Sequence, residues 1–370
     1  MIKLVILIEL LFFTILSFGQ SKDALFNIAL NKEKMQDYKG AITDFTKAID
    51  INPYRSENYY NRAVCKAKLA DYIGAILDYN KAIELNPNDA NAFNNRATTK
   101  GQIKDYTGAI ADCSKAIALR ADFDSAYYNR AVSKEEINDF KGAIADYTKA
   151  IELNNDDSRA YYYRGVCKAK LENYVGSIAD YTKVIELNAN NANAFNNRAT
   201  SKYKLLDFKG SLPDFNRAID LNPNEAIYYN NRGDCETELF EYKNAINDYT
   251  KAITLNPNEG FYYYNRGVCN AKLEYYVEGI SDLNKAISLD PNYAKSYNIR
   301  GVCKESLKDF SGAIFDYTKA LELNPNIAIY YHNRGNTKIK MGDITGCIDL
   351  SKAIELGDTE ALVIKKKYCQ

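Results

Sequence analysis

The sequence contains no tryptophan, a single histidine and only three methionines among its 370 residues. One histidine leaves few ligands for the convergent cluster that a bound metal ion requires. A Gly-rich phosphate loop, an HExxH helix and a nucleophile elbow are also missing from the sequence, so no catalytic constellation is indicated. Lysine plus arginine equal aspartate plus glutamate at 48 each, which gives no indication of nucleic acid as a partner. We therefore expect a protein that is not an enzyme and has no cofactor or metal.

What the sequence does contain is a strict period. Arginine recurs every 34 residues, and a fixed period of this length indicates an array in which each helical repeat packs only on its neighbours. The series comprises Arg62, Arg96, Arg130, Arg164, Arg198, Arg232, Arg266, Arg300 and Arg334.

Each period, taken as 56–89, has the pattern of two antiparallel helices. Small residues recur at three places, as at Ala63, Ala75 and Ala82, and let the helix axes approach closely. Asn-Pro follows the second helix in five periods, as at Asn86-Pro87, and ends it. Aspartate precedes the second helix as an expected N-cap in seven periods, at Asp37, Asp71, Asp105, Asp139, Asp207, Asp309 and Asp343.

This pattern, with an aromatic residue at the turn as at Tyr72, resembles the tetratricopeptide repeat. The resemblance implies an all-α fold: a right-handed α-solenoid of ten 34-residue helix–turn–helix repeats over 22–360, with a C-terminal capping helix over 358–370. The repeats start near 22, 56, 90, 124, 158, 192, 226, 260, 294 and 328. The tenth lacks one residue, which we place between Ile348 and Asp349. The chain departs from the family where the early tryptophan is an aromatic such as Tyr59 and a usual leucine is the periodic arginine.

In this family the first helix of each repeat lines a concave groove. Aromatic rings and amides at those places suit peptide recognition, so the resemblance implies a scaffold or adaptor for protein or peptide partners. The neighbouring asparagines, as at Asn95 and Asn129, either hold a peptide backbone or bond the adjacent helix. The expected groove residues are Tyr60, Asn94, Tyr128, Tyr162, Asn196, Asn230, Tyr264, Asn298 and His332.

Aspartate is as regular as arginine, from Asp44 through Asp316 at the 34-residue spacing and then at Asp349. An arginine at a leucine place is costly to bury without a partner. We therefore expect a ladder of Arg–Asp pairs with a structural role, the alternative being an anion-binding ladder. Pairing between the second helix of one repeat and the first helix of the next is favoured, and pairing within a repeat stays open.

Five of the eight cysteines share one place in the first helix. Equivalent places in adjacent repeats lie on the order of 10 Å apart, beyond the reach of a disulfide. We therefore expect all eight thiols to be free, the alternative being a disulfide framework. The five are Cys65, Cys167, Cys235, Cys269 and Cys303.

A longer period of 102 residues overlies the short one, since CKAKL at 65–69 returns at 167–171. The simplest interpretation is duplication of a three-repeat block. The functional alternative is a set of three similar sub-sites about 30 Å apart for one extended partner.

Residues 1–19 differ from the repeats. Lys3 is followed by the apolar run LVILIELLFFTILSF, which is shorter than the roughly 20 residues that span a bilayer. Ser17 and Gly19 suit cleavage before Gln20. We expect a signal peptide at 1–19 and an exported bacterial protein, either periplasmic, in the cell envelope or extracellular. The alternative is an uncleaved anchor, in which case the protein is a membrane-held structural or assembly component of the envelope.

Overall fold

The computed structural model describes residues 24–369, and the expected signal peptide at 1–19 lies outside this range. The described residues form α-helices joined by short turns. They divide into two compact halves, an N-terminal half ending at Leu187 and a C-terminal half starting at Asn188. Across 24–369, the helices are all too short or too polar to cross a membrane.

Each half is a series of helix pairs in which consecutive helices pack against each other. In the N-terminal half the helices are α1 (24–34), α2 (Tyr38–Ile51), α3 (Ser56–Lys68), α4 (Tyr72–Leu85), α5 (Ala90–Gln102), α6 (Tyr106–Leu119), α7 (Asp124–Glu136), α8 (Phe140–Leu153), α9 (Ser158–Lys170) and α10 (Tyr174–Leu187).

The C-terminal half continues the same alternation and ends with one additional helix. Its helices are α11 (Ala192–Lys204), α12 (Phe208–Leu221), α13 (Ala226–Glu238), α14 (Tyr242–Leu255), α15 (Gly260–Lys272), α16 (Tyr276–Leu289), α17 (Ala294–Ser306), α18 (Phe310–Leu323), α19 (Ala328–Lys340), α20 (Gly346–Glu355) and α21 (Thr359–Tyr368).

The second helices begin at the predicted caps. Asp71 Oδ1 accepts a hydrogen bond from the Gly74 backbone N–H at 3.0 Å, which satisfies one of the free donors at the helix start. An equivalent bond forms at six of the seven predicted caps, which confirms them. Asp343 is the exception, because it accepts from the backbone N–H of Thr345 instead.

The turn between the two helices of a repeat contains one residue with a left-handed backbone. Ala70 has φ 62° and Lys104 φ 62°, and only the tenth repeat uses glycine, Gly342 with φ 80°. Side chains other than glycine cost about 1–2 kcal/mol in this conformation. The packing of the two helices therefore holds the turn in place.

Nine of the ten repeats bury one large side chain between small residues, and the third repeat has Cys113 at that place. Tyr147 and Tyr317 are fully buried, and Phe215 is 1% exposed. A Cβ atom added to Gly301 would lie 2.6 Å from Cε1 of Tyr317, so this crossing has no room for a side chain. The predicted small places thus permit the close approach of the helices.

In the tenth repeat the deletion lies elsewhere than predicted. Gly346 is buried, and a Cβ on Gly335 would lie 2.8 Å from the Gly346 carbonyl oxygen. Gly267 and Gly279 make the same crossing in the eighth repeat, where the corresponding distance is 3.4 Å. Gly346 therefore occupies the small-residue place, and the missing residue precedes it. The placement between Ile348 and Asp349 is wrong, because helix α20 starts late and is only 10 residues long.

Helix α21 covers the end of the last repeat. Ala361 packs with Leu350 and Ala353 of α20 in one buried cluster. A disulfide joins Cys347 of α20 to Cys369. The prediction of eight free thiols is therefore wrong for these two cysteines, which lie outside the repeated place and are brought together by the return of α21. The remaining six thiols are free and buried.

Candidate functional site

The arginine–aspartate pairs lie within single repeats. Arg62 on α3 donates from Nε to Asp78 Oδ2 at 2.8 Å and from Nη2 to Asp78 Oδ1 at 2.7 Å, and Asp78 is on α4 of the same repeat. This two-bond geometry recurs in repeats two to ten. The favoured pairing between repeats is wrong, because the tight crossing of the two helices brings arginine opposite the aspartate of its own repeat.

The third guanidinium nitrogen nevertheless reaches the preceding repeat. Arg62 Nη1 donates to Thr46 Oγ1 at 3.1 Å, and Arg130 Nη1 donates to Ser114 Oγ at 3.0 Å. The guanidinium also lies over an aromatic ring, as Arg62 does over Tyr59 with 5.7 Å to the ring centroid. Because the guanidinium contacts an aspartate and a ring of its own repeat and a hydroxyl group of the preceding repeat, these arginines hold repeats together.

The predicted groove asparagines are buried in bonds between repeats. Asn94 is 7% exposed and Asn230 is 3% exposed, with Asn196 and Asn298 similar. Asn129 Nδ2 donates to Asn94 Oδ1 at 2.9 Å. The alternative that the neighbouring asparagines bond the adjacent helix is confirmed at Asn95, Asn129, Asn231, Asn265 and Asn333.

The predicted groove tyrosines are half-buried and pack on the core. Tyr60 meets the buried Tyr79 edge to face at 5.9 Å between ring centroids, and its hydroxyl accepts a hydrogen bond from Asn95 Nδ2 at 2.8 Å. Tyr128 and Tyr162 make the same ring contact with the buried tyrosine of their own repeats. Tyr264 instead packs on Tyr293 at 5.0 Å. These half-buried rings therefore contribute to the packing of the core and are also partly exposed at the surface.

His332 contacts the start of the capping helix α21. Its Nδ1 lies 2.7 Å from Oδ2 of Asp358, the residue that also caps α21 by accepting from the Glu360 and Ala361 backbone N–H groups. The ninth predicted groove residue thus closes the end of the series.

Two cavities open on the face formed by the first helices, which we call the first-helix face. The one in the N-terminal half has a volume of about 410 Å³ and is lined by Val64, Lys68, Tyr79, Asn95 and Thr98, among others.

The cavity in the C-terminal half has a volume of about 280 Å³. It is lined by Asp234, Glu238, Tyr249, Asn265 and Val268, among others. These five residues are the counterparts, five repeats later, of the five named for the first cavity. The same place in the repeat therefore forms a cavity in both halves, with different chemistry.

The sequence prediction covers part of the cavity walls. The predicted groove residue Tyr264 and the neighbouring Asn265 line the second cavity, whereas Lys68, Glu238 and the buried Tyr249 were not predicted. A signal was present in the sequence: the place that holds Val64, Thr98 and Val268 holds an aspartate in the seventh repeat, Asp234.

The seventh repeat is also acidic on its packed side. Glu236 stands where eight other repeats have lysine, as at Lys202, which pairs with Asp214 at 2.7 Å. Glu236 is 9% exposed, and its Oε2 has no hydrogen-bond partner among the described residues. Burial, and then the neighbouring Asp248 carboxylate, raise the pKa of Glu236 to about 7.

Sequence comparison agrees with the repeat pattern. Family models described as tetratricopeptide repeat match well over half of the chain, at 22–55, 56–89, 78–111, 128–192, 226–259, 262–293 and 294–327. No curated protein matches the sequence.

Several solved structures are similar to this chain. A tetratricopeptide repeat protein from Parabacteroides merdae ATCC 43184 is 20% identical with a TM-score of 0.50, over 67% of this chain and 98% of that one. PilF of Pseudomonas aeruginosa is 17% identical with a TM-score of 0.50, over 57% and 96%. YrrB, described as a TPR protein with an unusual peptide-binding site, is 27% identical with a TM-score of 0.44, over 50% and 95%.

At 20% and 17% identity, the first two likenesses show the fold alone. The repeated motif, the helix pairs and the family matches agree on the assignment. The chain belongs to the tetratricopeptide repeat family.

Proposed function

We propose that this protein is an interaction scaffold that holds extended segments of partner proteins on its first-helix face. Membership of the tetratricopeptide repeat family supports a protein-interaction scaffold in general. The binding of extended segments on the first-helix face is supported by the recurrence of a cavity at the same place of the repeat in both halves.

The walls of these cavities suit side chains of a bound segment. Their volumes of about 410 and 280 Å³ are near the lower end of small-molecule sites, which run from about 300 to 1,000 Å³. Aromatic rings provide contact area at low entropic cost, and amides give polar contacts. The asparagine bonds between repeats hold the walls in position before binding, which reduces the entropy lost on association.

Filling the cavities tests this proposal. Thr98 is exposed and Val268 half-buried, so tryptophan at both occupies the space with limited effect on the core. A random peptide library displayed on phage is selected against the purified full chain. Binding of the selected peptides is then compared between the wild type and the Thr98→Trp, Val268→Trp variant.

The matched control carries tryptophan at Leu77 and Phe315, which are 63% and 57% exposed on second helices. We expect the cavity variant to lose at least about tenfold in affinity, a change of about 1.4 kcal/mol, and the control to bind as the wild type does. Equal binding by both variants would place the peptide elsewhere.

We also propose that the protein works outside the cytoplasm. The sequence of residues 1–19 supports this, and so does the disulfide between Cys347 and Cys369, since disulfides persist mainly in oxidising compartments. Mass spectrometry of the protein from its native source tests it. An N-terminus at Gln20 supports export by cleavage, and an intact Met1 supports the uncleaved anchor.

A further inference from the structure

The seventh repeat places a carboxylate where no other repeat has a charge. Counting from the start of each repeat, Asp234 occupies the ninth place of the first helix. The other nine repeats have an uncharged residue there: Leu30, Val64, Thr98, Val132, Val166, Thr200, Val268, Val302 and Asn336.

Asp234 is held in position by neutral donors. Tyr249 Oη donates to its Oδ1 at 2.8 Å and Asn265 Nδ2 donates to the same oxygen at 3.0 Å. Asn230 Nδ2 donates to Oδ2 at 3.2 Å. The one arginine on this helix, Arg232, is turned to the packed side and pairs with Asp248. Across residues 24–369, Asp234 takes part in no ion pair, so its negative charge is oriented but not neutralised.

The carboxylate lines a cavity with aromatic walls. Tyr203 from α11, Tyr249 from α14 and Tyr264 from α15 surround the space of about 280 Å³, and the exposed Glu238 lies one turn beyond Asp234 on α13. A lysine or arginine side chain has the complementary form, because its apolar stem packs along rings while its charged end reaches an acid.

The equivalent cavity of the N-terminal half has the opposite chemistry. Val64 takes the place of Asp234, and Lys68 takes the place of Glu238. Tyr79 and Asn95 are common to both as the counterparts of Tyr249 and Asn265. The two cavities are lined by equivalent residues and differ mainly in charge. A negative charge in a cavity favours the binding of basic side chains over others.

We propose that the cavity of the seventh and eighth repeats binds a lysine or arginine side chain of the partner segment, with Asp234 pairing with its charged end. Glu238 adds negative charge at the rim, and Tyr203 and Tyr264 contact the stem. This inference rests on the proposed binding of extended segments to the first-helix face.

Electrostatics around the cavity support the assignment. Burial raises the pKa of Asp234 to about 6, against the effect of its hydrogen bonds from Tyr249 and Asn230. The charged groups near it are Glu238, which raises this pKa, and Lys204, which lowers it. Lys204 is exposed and lies over the Tyr203 ring. A partly desolvated carboxylate of this kind gains more from an added cation than a solvated one does.

The test selects the displayed random peptide library separately on the full-chain wild type and on Asp234→Val, which installs the residue of five other repeats. Asp234→Asn keeps the shape of the side chain, and it replaces Asp234→Val in the test if the valine variant unfolds at a lower temperature than the wild type. Val64→Asp combined with Lys68→Glu, in the N-terminal half, transfers both acids to the matched cavity and removes the lysine that would pair with the new aspartate. We expect wild-type selections to be enriched in lysine or arginine and Asp234→Val selections to lose that enrichment.

A selected basic peptide, titrated by fluorescence anisotropy, should bind the Asp234→Asn variant about tenfold more weakly. Its affinity for the wild type should fall as the pH is lowered through about 6, because Asp234 then becomes protonated. The double variant Val64→Asp, Lys68→Glu should give new enrichment of basic residues.

The outcomes separate the two proposals. Peptides selected without basic enrichment, or with an enrichment that Asp234→Val leaves unchanged, overturn the basic side-chain site and leave the scaffold function standing. Failure of every protein to enrich any peptide overturns the binding of extended segments, and the site with it.

Discussion

Arg300 holds the carboxylate of Asp316 by two parallel hydrogen bonds, Nε to Oδ2 at 2.9 Å and Nη2 to Oδ1 at 2.6 Å. The Asp316 side chain has no exposed surface, and Lys304 is its second cation at 2.8 Å. Arg300 Nη1 also donates to Asn284 Oδ1 of the preceding repeat at 2.7 Å. One side chain thus fixes the helix pair of its own repeat and the stacking on the repeat before it.

Arg300→Ala is expected to destabilise the C-terminal half by about 2–4 kcal/mol, since a buried carboxylate loses its two-bond partner. Urea unfolding followed by circular dichroism measures this. Arg159→Ala is the matched control, because Arg159 is 70% exposed in its pair with Asp157 and should cost less than about 1 kcal/mol. Equal losses in the two variants would show that the periodic pairs have no special structural role.

Tyr60→Phe should cost about 0.5–1.5 kcal/mol of stability, because it removes only the hydrogen bond from Asn95. Tyr60→Ala should cost about 3 kcal/mol, since it also removes the ring that packs on Tyr79. The control is Tyr54→Ala, at a residue 83% exposed. If Tyr60→Ala leaves the urea midpoint at the wild-type value, the predicted groove tyrosines are surface residues after all.

Glu236→Lys should stabilise the C-terminal half in a pH-dependent way. Burial raises the folded-state pKa of Glu236 to about 7, above the ordinary value of about 4.3. The stability that protonated Glu236 contributes is fully present below about pH 4 and is lost as the pH rises through about 7.

Near neutral pH and above, the variant replaces an acid next to Asp248 and Glu241 by the lysine found in other repeats, and should gain on the order of 2 kcal/mol. Glu278→Lys makes the same change of charge at an exposed residue of α16 and serves as the control. Urea unfolding across this pH range measures both variants. A gain for Glu236→Lys that does not grow with pH would contradict the raised pKa.

Thiol labelling should count six reactive cysteines in the unfolded, unreduced protein and eight after reduction. In the folded protein the six free thiols should react slowly, because burial raises their pKa, for Cys65 and Cys113 to about 12. A count of eight before reduction would exclude the disulfide at Cys347.

The features that the period specifies were predicted from the sequence. Helix pairs, six aspartate caps and the buried place shared by Cys65 and its equivalents all repeat, so each repeat supports the inference from the others. The disulfide was missed because Cys347 and Cys369 have no counterparts in other repeats, and only the return of α21 brings them together.

The repeat period alone does not specify which side chains of neighbouring helices contact each other. Arg62 and Asp78 recur with the same 34-residue period, so the spacing cannot tell a partner in the same repeat from one in an adjacent repeat. Of the predicted lining, Tyr264 faces the second cavity, whereas Asn94 is buried in a bond between repeats. Asp234 interrupts a regular series, and such an interruption marked the candidate site better than the series itself.

Site-specific cross-linking tests the central claim, that partners bind the first-helix face, most directly. A benzophenone amino acid is placed at Gln102 or Glu238, which are exposed at the rims of the two cavities, and as controls at Leu77 or Phe315 on second helices. Each protein is irradiated with a peptide selected by the wild type. We predict cross-links from Gln102 or Glu238 and none above background from the controls. Cross-links confined to Leu77 and Phe315 would contradict the claim and move the binding surface to the second helices.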